Sequence, residues 1–243
     1  MTTRRMALTA GLVAQTRSMV EDAGPEPGAH HTDADYDAIA EAILASHAAG
    51  EDAWMFAYGS LIWRPEIEFV EERRATAHGW HRSFCFKVFR HRGTLERPGL
   101  MMALDRGGQC TGVLYRLPAA TLREQLGKLF RREFTVKPVN SMPRWIKVAT
   151  AQGTLPAIAF VMNRQSPAYV GRMTLEAKVD ILAQACGHWG SCAEYLYNTV
   201  SHLEERGIHD RYLWRLQQLV AERLAGATSE DPARHELPAT TIE

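Results

Sequence analysis

The 243-residue sequence has no long hydrophobic run, and nothing in it approaches the ~18 apolar residues a membrane-spanning helix needs. Cysteine is scarce. Cys85, Cys110, Cys186 and Cys192 are the full set, with no CxxC pair; this excludes a disulfide-dense secreted scaffold and points to a reduced, cytoplasmic setting. Charge of one sign is lacking too. The 28 Lys+Arg balance 28 Asp+Glu, for a formal net charge of +0, so neither nucleic acid nor an anionic membrane is favoured as a partner. GxGxxG, Walker and HExxH motifs are absent, as are internal repeats. What remains is an ordinary globular composition, 46% hydrophobic and 23% charged, long enough to bury a substantial core.

Residues 1–31 read as a flexible leader or a short helix carrying Leu8, Leu12 and Val13. The apolar stretch after Arg4 and Arg5 is too short, and too broken by Thr9 and Gly11, for a signal peptide. A Gly/Pro linker at 24–28 follows, then a helix capped by Thr32 and Asp35. The middle third is predicted to be β-rich. Strands are expected at 54–58, at 80–88 with its period-two aromatics, and at 100–104 and 111–117 around a hairpin turn at Arg106-Gly107-Gly108-Gln109. A helix is expected from Pro118, with Leu122, Leu126, Leu129 and Phe130 as its buried stripe. A second hairpin is expected around Gln152-Gly153-Thr154. The last third reads as three helices: one ended by Gly187, one opened by a Ser191/Glu194 capping box and ended by Gly207, and one capped by Asp210. Residues 226–243 lack periodicity and read as a disordered tail. The fold class is α+β, with the strands gathered in one sheet or barrel and helices around it, spanning 32–225.

Three local features bear on chemistry. Phe56-Ala57-Tyr58-Gly59-Ser60-Leu61-Ile62-Trp63 runs a strand into Gly-Ser, where successive amides can converge on an anion; an ordinary strand-to-loop turn has the same look. His91-Arg92-Gly93, before Pro98-Gly99, offers Arg92 as a bidentate carboxylate ligand or as a solvated basic turn. Phe130-Arg131-Arg132-Glu133-Phe134 sets one carboxylate between aromatics. An apolar setting would raise its pKa toward the range useful for proton transfer, whereas pairing with an arginine would lower it, and the sequence leaves the sign open. The Cys186/His188/Cys192 group is too small a set of soft ligands for zinc, so no metal is expected.

Taken together, these segments resemble the ChaC-like family of γ-glutamylcyclotransferases. The likeness lies in Tyr58-Gly59-Ser60-Leu61-Ile62-Trp63-Arg64-Pro65, His91-Arg92-Gly93 with Pro98-Gly99, Arg132-Glu133, Pro167-Ala168-Tyr169-Val170-Gly171, and Cys192-Ala193-Glu194-Tyr195-Leu196, in the family's order. The flank after Glu133 departs from the family's Gly/Tyr-containing versions, and Ala168 stands where Gly is common. The resemblance implies a small β-barrel flanked by helices. It implies cleavage of glutathione to 5-oxoproline and cysteinylglycine with no cofactor. Glu133 would be the catalytic carboxylate, and Tyr58, Gly59, Ser60, Leu61, Arg92 and Tyr169 would contact substrate. Two alternatives stay open: action on another γ-glutamyl amide or peptide, and a catalytically silent γ-glutamyl-binding regulator on the same scaffold. Nothing in the sequence fixes the oligomeric state.

Overall fold

Two long strands dominate the chain. In the computed structural model, which describes residues 5–25 and 28–229, β2 (Glu71–Val88) and β3 (Gly99–Leu117) run antiparallel from Glu71↔Arg116 to Val88↔Gly99. β1 (Ala53–Ala57) pairs with the end of β3, while β4 (Ser141–Thr150) and β5 (Gly153–Met162) form a hairpin beside β2. Parallel pairing of Met55 with Ile158 closes the five strands into a barrel of order β1-β3-β2-β4-β5. The closed barrel inside an α+β fold accords with the fold class expected from the sequence.

The hairpin expected at 106–109 is absent, because β3 runs straight through it. Register passes from His78↔Gln109 to Trp80↔Arg106, so Gly79 faces both Gly107 and Gly108, and all three have positive φ. A left-handed glycine serves a bulge as readily as a turn. Here it bends the ribbon around the barrel, and the chain reverses at 89–98 instead.

The helices pack outside. α2 (Asp33–Leu44) carries the full capping box of Thr32 and Asp35. α3 (Leu122–Glu133) begins four residues after Pro118, which opens a turn rather than the helix. Its Leu126, Leu129 and Phe130 are buried, and Phe130 meets Phe160 of β5 edge-on at 6.1 Å. α4 (Leu175–Gln184) stops at extended Ala185, before Gly187. There Cys186–Gly187 (β6) and Gly190–Ser191 (β7) make a two-residue ladder. α5 (Cys192–Glu205) is capped by Ser191, which accepts from the Glu194 amide. The Glu194 carboxylate turns to Arg92 and Arg17 rather than back to the cap. α6 (Arg211–Ser229) continues past Gly226, and the tail expected beyond it falls at 230–243, outside the described residues. None of the described helices is long and apolar enough to cross a membrane.

The leader is tied down where it is described. α1 (Ala10–Gln15) docks on α5 and α6, with Leu8 fully buried and its amide bonded to Gln217 Oε1 at 2.8 Å. Thr16 bonds to Ser191, Arg17 to Glu194, and Asp22 accepts both arms of Arg90. Leu8 and Val13 carry too few apolar neighbours in sequence to announce a docking helix. Their partners lie nearly 200 residues away.

Candidate active site

Tyr58, Gly59, Ser60 and Leu61 leave β1 and enter a 3-10 turn at Ser60–Ile62. A buried arginine fixes where this loop begins. Arg82 of β2, 3% exposed, donates Nε to the Tyr58 carbonyl at 2.7 Å, Nη2 to the Thr111 carbonyl at 2.6 Å and Nη1 to Asp210 Oδ2 at 3.0 Å. Leu61 and Ile62 are buried in the core, so the loop offers a ligand backbone more than side chains. Gly59 packs closely: a Cβ there would lie 3.0 Å from Tyr195 Oη and 3.1 Å from Met102 Cε, so these side chains would have to give by a few tenths of an ångström. Among the described residues the Gly59 and Leu61 amides make no hydrogen bond, and the Ser60 amide lies beside the Tyr195 hydroxyl.

Glu133 is the last residue of α3. The helix ends because Phe134 turns extended (φ −153°, ψ 128°) and buries its ring against Phe130 and Phe160. α2 holds that exit in place. Tyr36 Oη donates to the Phe134 carbonyl at 3.0 Å, His31 packs on both Phe134 and Tyr36, and Lys137 pairs with Asp35 at 2.7 Å. Glu133 is therefore placed by packing on both sides of it.

The open sign of its pKa is settled here. Burial pushes the Glu133 carboxyl above its usual range, Arg132 opposes this, and Glu66 adds to it. Its place at the negative end of the α3 dipole acts in the same upward direction. The ion pair with Arg132 is loose, with Nε 3.5 Å from Glu133 Oε1. Arg132 spends its other donors on the loop: Nη2 on Ser60 Oγ at 3.3 Å, and Nη1 on the Arg64 carbonyl and on Glu66 Oε2 at 3.1 Å. The arginine before Glu133 thus ties the end of α3 to the 58–66 loop.

Two tyrosines face the carboxylate. Burial, with the Glu133 charge adding to it, raises Tyr58 well above its ordinary value and pushes Tyr195 up to about 12. Both remain neutral hydroxyls near pH 7. The Tyr58 hydroxyl lies beside the Leu104 amide of β3. Tyr195 is not among the site residues to which the sequence points. Its signal lies in the Cys192-Ala193-Glu194-Tyr195-Leu196 stretch, but a tyrosine inside an amphipathic helix reads as packing until its hydroxyl is seen beside Gly59 and Ser60.

Of the other two candidates, Arg92 adjoins Tyr195 and Tyr169 sits beside Asp105. Arg92, 9% exposed, donates to the Ser191 carbonyl at 2.8 Å and Glu194 Oε2 at 3.3 Å, with its guanidinium 5.5 Å from the Tyr195 ring centre. It braces the first turn of α5 behind Tyr195. Tyr169 bonds to Asp105 Oδ2 at 3.2 Å, beside the Asp105–Arg164 ion pair. Its link to the loop runs along β3, where Asp105 follows Leu104. No group of three or more His, Cys, Asp or Glu able to hold a metal occurs among the described residues.

The ChaC-like protein family profile matches residues 53–223. The chain is 37% identical over 185 residues to the glutathione-specific gamma-glutamylcyclotransferase of Escherichia coli K12, covering 76% of this chain and 79% of that one. It is 30% identical over 158 residues to the mouse glutathione-specific gamma-glutamylcyclotransferase 1, covering 62% and 69%. Among solved structures, a yeast gamma-glutamyl cyclotransferase specific to glutathione superposes with a TM-score of 0.64 at 20% identity, covering 72% of this chain and 100% of that one. On the profile match and the bacterial likeness, with the 58–61 loop and Glu133 meeting in one site, the chain belongs to the ChaC-like family.

Proposed function

We propose that this protein is a glutathione-specific γ-glutamylcyclotransferase, a lyase that releases 5-oxoproline and cysteinylglycine. The observation that carries the reading is the half-buried Glu133 carboxylate, whose neighbour Arg132 is bonded to the glycine-containing 58–66 loop and whose charge acts on Tyr58 and Tyr195. A γ-glutamyl amide brings its own nucleophile, since attack of its α-amine on the γ-carbonyl closes a five-membered ring. Effective molarity then does much of what a covalent enzyme nucleophile would do. The enzyme must fold the glutamyl group, take a proton from the amine and give one to the leaving nitrogen. One carboxylate serves both transfers, and a pKa raised by burial brings it closer to working pH. We assign the proton transfers to Glu133 and the developing oxyanion to the Gly59 and Leu61 amides, a contribution on the order of 3 kcal/mol to the barrier. Tyr58 and Tyr195 support the loop and close the carboxylate off from water. In this reading Arg92 orients α5, and Tyr169 contacts the substrate from the β3 side. The names of the relatives favour glutathione over other γ-glutamyl amides. A silent binding protein would have no use for a carboxylate in so costly a setting. The four unpaired, buried cysteines suit the reducing cytoplasm where glutathione is abundant.

The test is Glu133→Gln, which keeps the shape and removes the base. Turnover of glutathione is expected to fall about 100-fold or more with the fold intact. Near-normal turnover in the folded variant would remove Glu133 from the mechanism.

A further inference from the structure

Arg132 stands between two carboxylates, and it sits closer to the one that does no chemistry. Its Nη1 reaches Glu66 Oε2 at 3.1 Å, while its Nε is 3.5 Å from Glu133 Oε1. Glu66 also pairs with Arg64. It holds a backbone conformation that side chains rarely adopt, with φ of 52°. Its carboxylate therefore bridges two guanidiniums at the far end of the loop that begins with Gly59. Arg132 in turn bonds Ser60 Oγ and the Arg64 carbonyl, so every strong interaction it makes pulls it toward the loop and away from the end of α3.

We propose that Glu66 is a positioning residue for the reaction: it holds the Arg132 guanidinium on the 60–66 loop, so that the Glu133 carboxylate is free to take and return a proton instead of being locked in an ion pair. The physical reason is competition. An arginine fork that closed bidentately on Glu133 would hold it ionised and make a poor proton donor of it. A second carboxylate divides that attraction and adds a like charge nearby.

The charged and titratable groups facing Glu133 are few. Arg132 comes from its own helix and Glu66, backed by Arg64, from the loop. Tyr58 comes from the end of β1 and Tyr195 from α5. Both tyrosines are neutral near pH 7, so the balance rests on Arg132 and Glu66. Burial raises the Glu133 carboxyl, Arg132 lowers it and Glu66 raises it, in the directions this competition requires.

The inference rests on Glu133 being the acid–base group, and the test separates the two. In Glu66→Gln, Arg132 loses its loop carboxylate and swings toward Glu133. The acidic limb of the kcat/KM–pH profile for glutathione is expected to move down by about half a pH unit or more. The carbon-13 carboxyl resonance of Glu133, assigned by its loss in Glu133→Gln, should titrate lower by the same amount. Glu66→Asp, which keeps the charge, should return both toward wild type. Three results would overturn the proposal: an unmoved limb and resonance, a shift upward, or a loss of activity equal at every pH, the last marking Glu66 as merely structural. An active Glu133→Gln would instead strike at the mechanism, whatever Glu66 does.

Discussion

Replacing Arg82 with Met tests whether the start of the 58–61 loop is held by a buried charge. The guanidinium is 1% exposed in its side chain and serves three acceptors: the Tyr58 and Thr111 carbonyls and Asp210. Methionine matches the length and removes all three bonds. Breaking a buried pair by deleting one partner costs about 3–5 kcal/mol, and each orphaned carbonyl adds about 1 kcal/mol where water cannot reach it. Asp210 softens the first figure. Its side chain is 19% exposed, and its Oδ1 still caps α6 through the Leu213 amide. A net loss of about 3–4 kcal/mol follows, equivalent to about 10 °C in Tm for a chain of this size. Urea unfolding at unchanged m-value measures it. Because Asp210 shares the pair, Asp210→Asn should cost much less in the Arg82→Met background than in the wild type. The release of Tyr58 should also lower kcat/KM even in protein that is fully folded. A loss below about 1 kcal/mol, or additive single and double variants, would refute the assignment.

Three further outcomes follow from the same geometry. Tyr195→Phe removes the hydroxyl beside the Ser60 amide while keeping the ring that packs on Phe84 and Trp63, so kcat/KM should fall about tenfold with stability changed by about 1 kcal/mol or less. Leu8→Asp places a carboxylate at a fully buried position and should cost about 3 kcal/mol or more in urea unfolding; no effect would mean that the leader does not dock. Glu133 has a carboxyl pKa raised by folding above its ordinary 4.5, so its contribution to stability is fully present below that value and is lost as pH rises through the folded value. Glu133→Gln should therefore melt higher than wild type at pH 7–8, and the gap should close as pH approaches 4.

Local features were legible in the sequence and non-local ones were not. The Tyr58–Leu61 loop and Glu133 each lie in a contiguous motif whose residue types carry their own chemistry. The helix caps at Thr32, Ser191 and Asp210 are set within three or four residues. Gly107-Gly108 misled because positive φ marks a bulge as well as a turn, and only the partner strand, with Gly79 opposite, decides which. Arg82 gives no signal inside an alternating strand, since its acceptors come from the loop after β1, from β3 and from the cap of α6. Arg92 illustrates the converse. A conspicuous basic loop residue suggests a ligand contact, and adjacency in sequence does not show that its Nη1 also bonds Ser191 and Glu194, about 100 residues downstream. The sign of the Glu133 shift needed the depth of burial and the rival carboxylate of Glu66, neither of which adjacency in sequence supplies.

The central claim is that the substrate's own amine makes the ring, with Glu133 moving the proton. The most direct measurement follows the products from glutathione and from glutathione acetylated on its glutamyl α-amine by mass spectrometry, from the first turnover. The account requires 5-oxoproline and cysteinylglycine in equal amounts from the first compound and no cleavage of the second, since acetylation removes the nucleophile while leaving the γ-glutamyl bond in place. Glutamate as the primary product, or ready cleavage of the acetylated compound, would show that water or an enzyme nucleophile breaks the bond and would contradict the account.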